Sequence, residues 1–381
     1  MKLRNAAPMA TLLLSMLAIE LSAQPSFREQ DLFISGIDGV NIYRIPALIV
    51  TAKGTILAFC EAREGDDADP TDLVVKRSRF SQPQAPIKLN GYDRVFGYGV
   101  NWEPMRVVLA GNGEAAMNPC PVIDRSNGAI WTPSIMVAGG LKRHLQDELK
   151  GQVLILKSVD DGVSWSRPVD ITSSVGAFIG GSGIGIQLRD GRLVIPGYGR
   201  NPDSGKASSK VIYSDDHGQT WRAGACVKAR TDESQVVELS DGTLMLNMRG
   251  ATRTWRRHIA LSRDRGETWY QEYDDENLPE PQCMASLLRY TGDNNAARNL
   301  LLFSNPPNAG PLDRTNLAIR VSRDEGKSWT AGQTVHRGPG AYSSLAVLAD
   351  GTIGLLYETG TVHPYEKITF AQFNVEWLLD R

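Results

Sequence analysis

Apolar residues fall along this chain in short strand-like runs: Val153 to Leu156, Val211 to Tyr213, Ile259 to Leu261 and Leu317 to Ile319. Each is followed by the same eight-residue pattern, S-x-D-x-G-x-[ST]-W. Its four copies start at Ser158, Ser214, Ser262 and Ser322 and end at Trp165, Trp221, Trp269 and Trp329, tryptophans 56, 48 and 60 residues apart. Within a copy the aspartate accepts backbone N–H bonds in a tight turn. The glycine supplies a positive φ, and the tryptophan buries an apolar plate beneath the hairpin. Four equivalent turns would make four equivalent catalytic or calcium sites, so the pattern reads as architecture. A second hairpin signal is interleaved, with glycine at its turn: Lys53-Gly54, Asp190-Gly191, Asp241-Gly242 and Asp350-Gly351. Its flanks, such as Val236 to Leu239 and Thr243 to Leu246, are strand-like. Two hairpins per unit at this period predict a β-propeller. The length allows six or seven units; the expected fold is all-β, a six-bladed β-propeller of four-stranded antiparallel blades, in one domain over residues 24–381.

Composition narrows the class. Hydrophobic residues are 41% and charged residues 22%, which excludes a disordered, collagenous or coiled-coil chain. A formal net charge of −2 gives no global field toward nucleic acid or an anionic membrane. Lys2 and Arg4 precede a mostly apolar stretch, Ala10 to Leu21, that is short for a bilayer span. Ser22-Ala23 then offers a cleavage point. Residues 1–23 are therefore expected to be a secretory signal peptide, and the rest a secreted or periplasmic domain without membrane insertion. Cys60, Cys120, Cys226 and Cys283 show no C-x-x-C spacing, and the five histidines no H-x-x-x-H spacing. Buried free thiols and no metal or cofactor are expected.

The hairpin glycines also mark a set of polar positions. Seven residues after them stand Glu61, Tyr198, Arg249 and Glu358. Nine residues before them stand Ser182, Glu233 and Tyr342, with Arg44 ten before. Antiparallel pairing brings these offsets together at the open end of each hairpin, and a propeller gathers equivalent ends around one mouth. Strand ends are polar wherever they reach solvent, which accounts for one such residue. It does not account for two arginines, three glutamates and two tyrosines in one place. An arginine cluster suits a ligand carboxylate, because guanidinium stays charged and binds it in two-pronged fashion.

On these residues the chain resembles the exo-α-sialidase (neuraminidase) family of bacterial and animal type, over nearly all of residues 24–381. The resemblance rests on Tyr43-Arg44-Ile45-Pro46, on the four repeats, known in that family as Asp boxes, and on matched site residues. It implies release of terminal α-linked sialic acid from glycans, glycoproteins or glycolipids, with retention, through a tyrosine nucleophile. It further implies that Arg44, Arg249 and Arg314 hold the substrate carboxylate. Tyr342, in Gly340-Ala-Tyr-Ser, matches the nucleophile and Glu233 its activating base. Asp67 matches the acid/base, Arg63 a contact on the same loop, and Glu358 the carboxylate that orients Arg44. Asn118-Pro119 and the stretch from Gly183 to Tyr198 also match family segments. A neutral tyrosine suits this substrate, whose own carboxylate would repel a carboxylate nucleophile. The chain departs from the pattern where residues 79–101 separate Ser78 from Trp102, an inserted loop in a degenerate box. It departs again at Leu141 to Leu149, which reads as a short helix. Three alternatives stay open: a propeller that binds sialosides or protein without hydrolysis, a trans-sialidase or anhydro-forming sialidase, and an Asp-box glycosidase for neutral glycans, which the arginines oppose.

Overall fold

The structure is a computed structural model that describes residues 24–67, 69–79, 100–138, 151–250, 254–291 and 299–380. The expected signal peptide, nearly all of the 79–101 loop and the expected helix at 141–149 lie outside these residues. Among the described residues two short helices occur, Thr172–Val175 and Val375–Leu379, and the rest is strand and turn. None of the helices is long and apolar enough to cross a membrane.

Among the described residues, hydrogen bonding sorts the strands into five sheets, arranged as a propeller. Four sheets are single blades. One is built on Leu193–Arg200 and Ala207–Ser214. The next runs Thr231–Glu238, Leu244–Gly250, Arg256–Ser262, Gln271–Pro279. A third runs Ser286–Tyr290, Leu300–Asn305, Ala318–Ser322, Gln333–Thr334. The last joins Gly340–Val347, Ile353–Thr359 and Lys367–Phe373 to the N-terminal strand Phe27–Ile34. The fifth sheet has ten strands, from Ile42–Val50 to Val169–Asp170. The expectation of six separate blades is corrected accordingly: four blades stand alone beside one composite sheet. Its seam is a single parallel bridge, Thr71 with Ala115. Thr71 N–H donates to the Glu114 carbonyl at 3.0 Å, and Gly111 N–H to Asp72 Oδ1 at 2.7 Å. These bonds carry the ladder across a boundary that the repeat period places between units.

The repeats behave as turns, as expected. In the first, Asp160 Oδ1 accepts from Ser158 Oγ and from Ser164 N–H, both at 2.9 Å. The same bonds recur at Asp216, Asp264 and Asp324. Two of their tryptophans show the packing: Trp165 meets Phe59 at 5.7 Å across the two ends of the ten-stranded sheet, and Trp221 meets Trp131 at 6.2 Å between that sheet and the next. At Gly218, with φ +84°, an added Cβ would lie 2.2 Å from the Trp131 ring, so only glycine fits there. The interrupted box keeps its ends. Ser78 pairs with Trp102, whose ring packs 5.3 Å from Phe370 in the last sheet. Apolar clusters fill the spaces between sheets, as where Val153, Ile155 and Trp131 meet Leu193, Ile195 and Ile212. Each such side chain contributes about 1.5–3 kcal/mol on burial. Cys60, Cys120 and Cys283 are buried free thiols, while Cys226 is only half-buried.

Three hairpins share an irregularity at the end away from the glycine turn. Their first strands carry β-bulges between Arg44 and Ala47, between Thr231 and Ser234, and between Gly340 and Ser343. A bulge re-aims side chains that a regular pleat would alternate between faces. Arg44, Glu233 and Tyr342 all stand at these positions.

Candidate active site

Tyr342 stands at the centre of the mouth. It is 4% exposed, and its hydroxyl donates to Glu233, with Oε1 and Oε2 at 2.6 and 2.7 Å. Arg249 Nη1 donates to the same hydroxyl at 3.0 Å and to Glu233 Oε2 at 2.7 Å. The Arg44 and Arg314 guanidinium carbons lie 5.2 and 5.3 Å from the Tyr342 ring centroid. Burial, and then the Glu233 charge, holds the Tyr342 phenol well above its ordinary value. The resting tyrosine is thus neutral, with a carboxylate already at its proton. Arginines that approach a phenol oxygen also stabilise the anion that forms when the proton leaves.

Glu358 ties this tyrosine to Arg44. Its carboxylate is fully buried and accepts three bonds: Arg44 Nε at 2.7 Å, Ile45 N–H at 2.9 Å and Tyr342 N–H at 3.1 Å. Ile45 sits in the bulge at φ +60°, a cost for a β-branched residue that this bond helps to offset. Burial works against the Arg44 charge, but Glu358, Tyr365 and Tyr342 together outweigh it and the guanidinium pKa is raised. Arg314 rises from a loop. Its Nη1 donates to the Tyr365 hydroxyl at 2.6 Å and its Nη2 to the Gln282 carbonyl at 2.7 Å.

Asp67 lies on the rim, its side chain 56% exposed, ion-paired with Arg63 and with Oδ1 3.8 Å from Arg44 Nη1. Partial burial pushes its carboxyl up, but Arg63 and Arg44 outweigh that and hold it below the usual carboxylate range. Arg63 is itself pinned by the buried Glu61 at 2.7 Å. Glu61 in turn accepts Asn118 N–H at 2.6 Å, Asn118 Nδ2 donates to Ser182 Oγ at 2.6 Å, and Ser182 Oγ reaches Glu233 Oε1 at 3.4 Å. A belt of hydrogen bonds therefore runs under the mouth from Asp67 to Glu233. All eight residues assigned from the resemblance are gathered in one place, with Glu61 and Ser182 beneath them. Tyr198 is half-buried beside them, its phenol raised by burial and then by Glu233 and Asp232.

Three residues of the site escaped the sequence reading. Asp232 reaches Arg249 Nε at 3.3 Å, while Glu233 holds Nη1 of the same guanidinium. Glu280, almost fully buried, accepts Gly250 N–H and Cys283 N–H, both at 3.2 Å, and faces Arg257 at 3.6 Å. Burial pushes its carboxyl up to about 7, which Arg257 only partly opposes. Tyr365 lays its ring 3.7 Å from the Arg44 guanidinium carbon. Adjacency to Glu233 gave no signal for Asp232, since neighbours in a regular strand face opposite ways, and loop residues such as Tyr365 gave none either. Among the described residues no group of three or more His, Cys, Asp or Glu is arranged to hold a metal ion.

The BNR repeat-like domain matches residues 54–355. A sialidase of Micromonospora viridifaciens is 36% identical over 93% of this chain and 55% of its own length. The chain thus spans about half of that relative. Sialidase-3 of Bos taurus is 30% identical over 92% of each chain. Among solved structures the Hadza microbial sialidase Hz136 matches with a TM-score of 0.79 at 29% identity, over 92% of this chain and 69% of that one. A domain match over most of the chain and a mammalian relative aligned nearly end to end agree with the strand-end geometry: this chain belongs to the sialidase family.

Proposed function

We propose that this protein is an exo-α-sialidase that hydrolyses terminal α-linked sialic acid from sialylated glycans, glycoproteins or glycolipids, with retention. The observation that carries the reading is the buried Tyr342 hydroxyl, bonded to Glu233 and surrounded by Arg44, Arg249 and Arg314. In the first step the substrate carboxylate meets the three arginines. The Tyr342 oxygen attacks the anomeric carbon while Glu233 takes its proton. The glycosidic C–O bond breaks, and the departing oxygen takes the Asp67 proton. In the second step water, giving a proton to Asp67, attacks the same carbon. The Tyr342–carbon bond breaks and the phenol recovers its proton from Glu233. Two inversions leave the configuration unchanged. Charge is met throughout by side chains of this chain, so the reaction is read as independent of metal and cofactor. The same reading takes residues 1–23 as an export signal, hence a secreted or periplasmic enzyme. It also takes the ten-stranded sheet as two blades joined at the Thr71–Ala115 bridge, six in all.

The test is trapping with a 3-fluorosialyl fluoride, followed by peptide mapping, alongside product analysis by NMR on sialyllactose. A label on Tyr342 and release of the α-anomer of free sialic acid are expected. A label on another residue overturns the mechanism. Anhydro or transferred product shifts the reading to the intramolecular or transferase reaction, and no turnover with intact binding shifts it to a lectin.

A further inference from the structure

We propose that Tyr365 is a fourth donor to the substrate carboxylate, completing the pocket formed by the three arginines; the inference rests on the sialidase reading above. Tyr365 touches two of those arginines at once. Its ring faces Arg44 at 3.7 Å, and its hydroxyl oxygen accepts Arg314 Nη1 at 2.6 Å. The oxygen is thus occupied as an acceptor, and its own proton is left to give. Among the described residues no acceptor takes that proton. The phenol keeps it, because burial, helped by the Glu358 charge, raises its pKa against the lowering by Arg44 and Arg314. An anion that settles between Arg44 and Arg314 would therefore meet an O–H donor beside their N–H groups.

The tyrosine is also held still, which a binding donor requires. Its carbonyl accepts Ser35 Oγ at 2.8 Å, and Ser35 N–H donates to the Glu366 carbonyl at 3.0 Å. The Glu366 carboxylate gathers the N–H groups of Thr361, Val362 and His363 at 2.9, 2.7 and 2.8 Å, closing the loop on itself. Ring and hydroxyl have separable duties. The ring braces Arg44 and packs on the cluster containing Ile45, Met284 and Tyr342, while only the hydroxyl reaches Arg314 and the ligand.

Tyr365→Phe keeps the ring and removes the donor. Calorimetry on the full chain would compare wild type and variant with 2,3-unsaturated sialic acid and with its methyl ester, whose carboxylate charge is gone. A hydrogen bond to a charged group corresponds to about ten- to a hundredfold in affinity. The variant is expected to lose that much for the acid and clearly less for the ester, with KM raised more than kcat falls and the melting temperature modestly lowered by the lost Arg314 bond. Equal losses for acid and ester, or no loss for the acid, overturn the proposal. A wild-type protein that binds neither sinks the sialidase reading itself, a result distinct from a normal wild type with an unaffected variant.

Discussion

Asp67 is held ionised in the free protein, yet the proposed reaction needs it protonated. The substrate resolves this. Asp67 Oδ1 lies 3.8 Å from Arg44 Nη1. A charge pair at that distance is worth about 1 kcal/mol in water and about 4 kcal/mol at an effective dielectric of 20. The carboxyl is 56% exposed, so solvent screening favours the low end, about 1–2 kcal/mol, or about one pKa unit. A substrate carboxylate on Arg44 cancels that attraction and adds a repulsion of its own. Both changes raise the Asp67 pKa. The high-pH limb of kcat, which reports the complex, should therefore lie about one unit above that of kcat/KM, which reports the free enzyme. Asp67→Asn tests the residue directly. On sialyllactose, whose leaving oxygen needs a proton, the loss should be about 10²–10⁴-fold, the usual size of general-acid catalysis. On 4-nitrophenyl sialoside, which leaves unaided, the loss should be under about tenfold on the same reasoning. Steady-state kinetics on both substrates across pH 4–9 give all four numbers. Equal losses on the two substrates, or coincident high-pH limbs for kcat and kcat/KM, would refute the argument.

Tyr342→Phe should abolish trapping and most turnover yet stay folded, because Glu233 keeps Arg249 at 2.7 Å; the lost bond to a charged group is worth about 1.5–3 kcal/mol, read as a modest drop in melting temperature. Glu280, pushed up to about 7, contributes stability that is fully present below its unfolded value and is lost as pH rises through the folded one. Glu280→Gln should flatten that fall between pH 5 and 7 in urea melts, and an unchanged slope would count against the assignment. Asp264→Ala removes the acceptor for Ser262 Oγ at 2.7 Å and Thr268 N–H at 2.8 Å. It should cost about 1–3 kcal/mol in denaturant melts and leave kcat unchanged, with calcium restoring nothing.

The turn glycines made much of this site legible. With Gly242 and Gly351 fixing two hairpins, counting outward put Glu233 beside Arg249 and Tyr342 beside Glu358; the registers are interrupted there, and hydrogen bonds join both pairs. The bulges left no mark in the residue pattern, and they matter most at Asp232. Strict alternation would send Asp232 and Glu233 to opposite faces, but the irregularity between Thr231 and Ser234 lets both carboxylates reach Arg249. Arg314 and Tyr365 stand on loops, where no periodicity governs position, so the first came only from family likeness and the second not at all. The joining of two repeat units into one sheet was equally hidden. It depends on backbone groups at Thr71 and Glu114, and backbone groups are the same in every sequence.

The strand Phe27–Ile34 pairs with Lys367–Phe373, so one blade is made from the two extremes of the described chain. On the ribosome this means a long wait. Phe27–Ile34 has no hydrogen-bonding partner until Lys367–Phe373 has been made. Arg44 likewise lacks Glu358, 314 residues later. Such non-local pairing is slow to form, and its exposed edge invites association with other chains in the interval. On the proposed function, the same arrangement would make catalysis a late event in biogenesis. Until Lys367–Phe373 and Glu358 are in place the pocket stays unassembled, so the appearance of turnover would report ring closure in a refolding experiment.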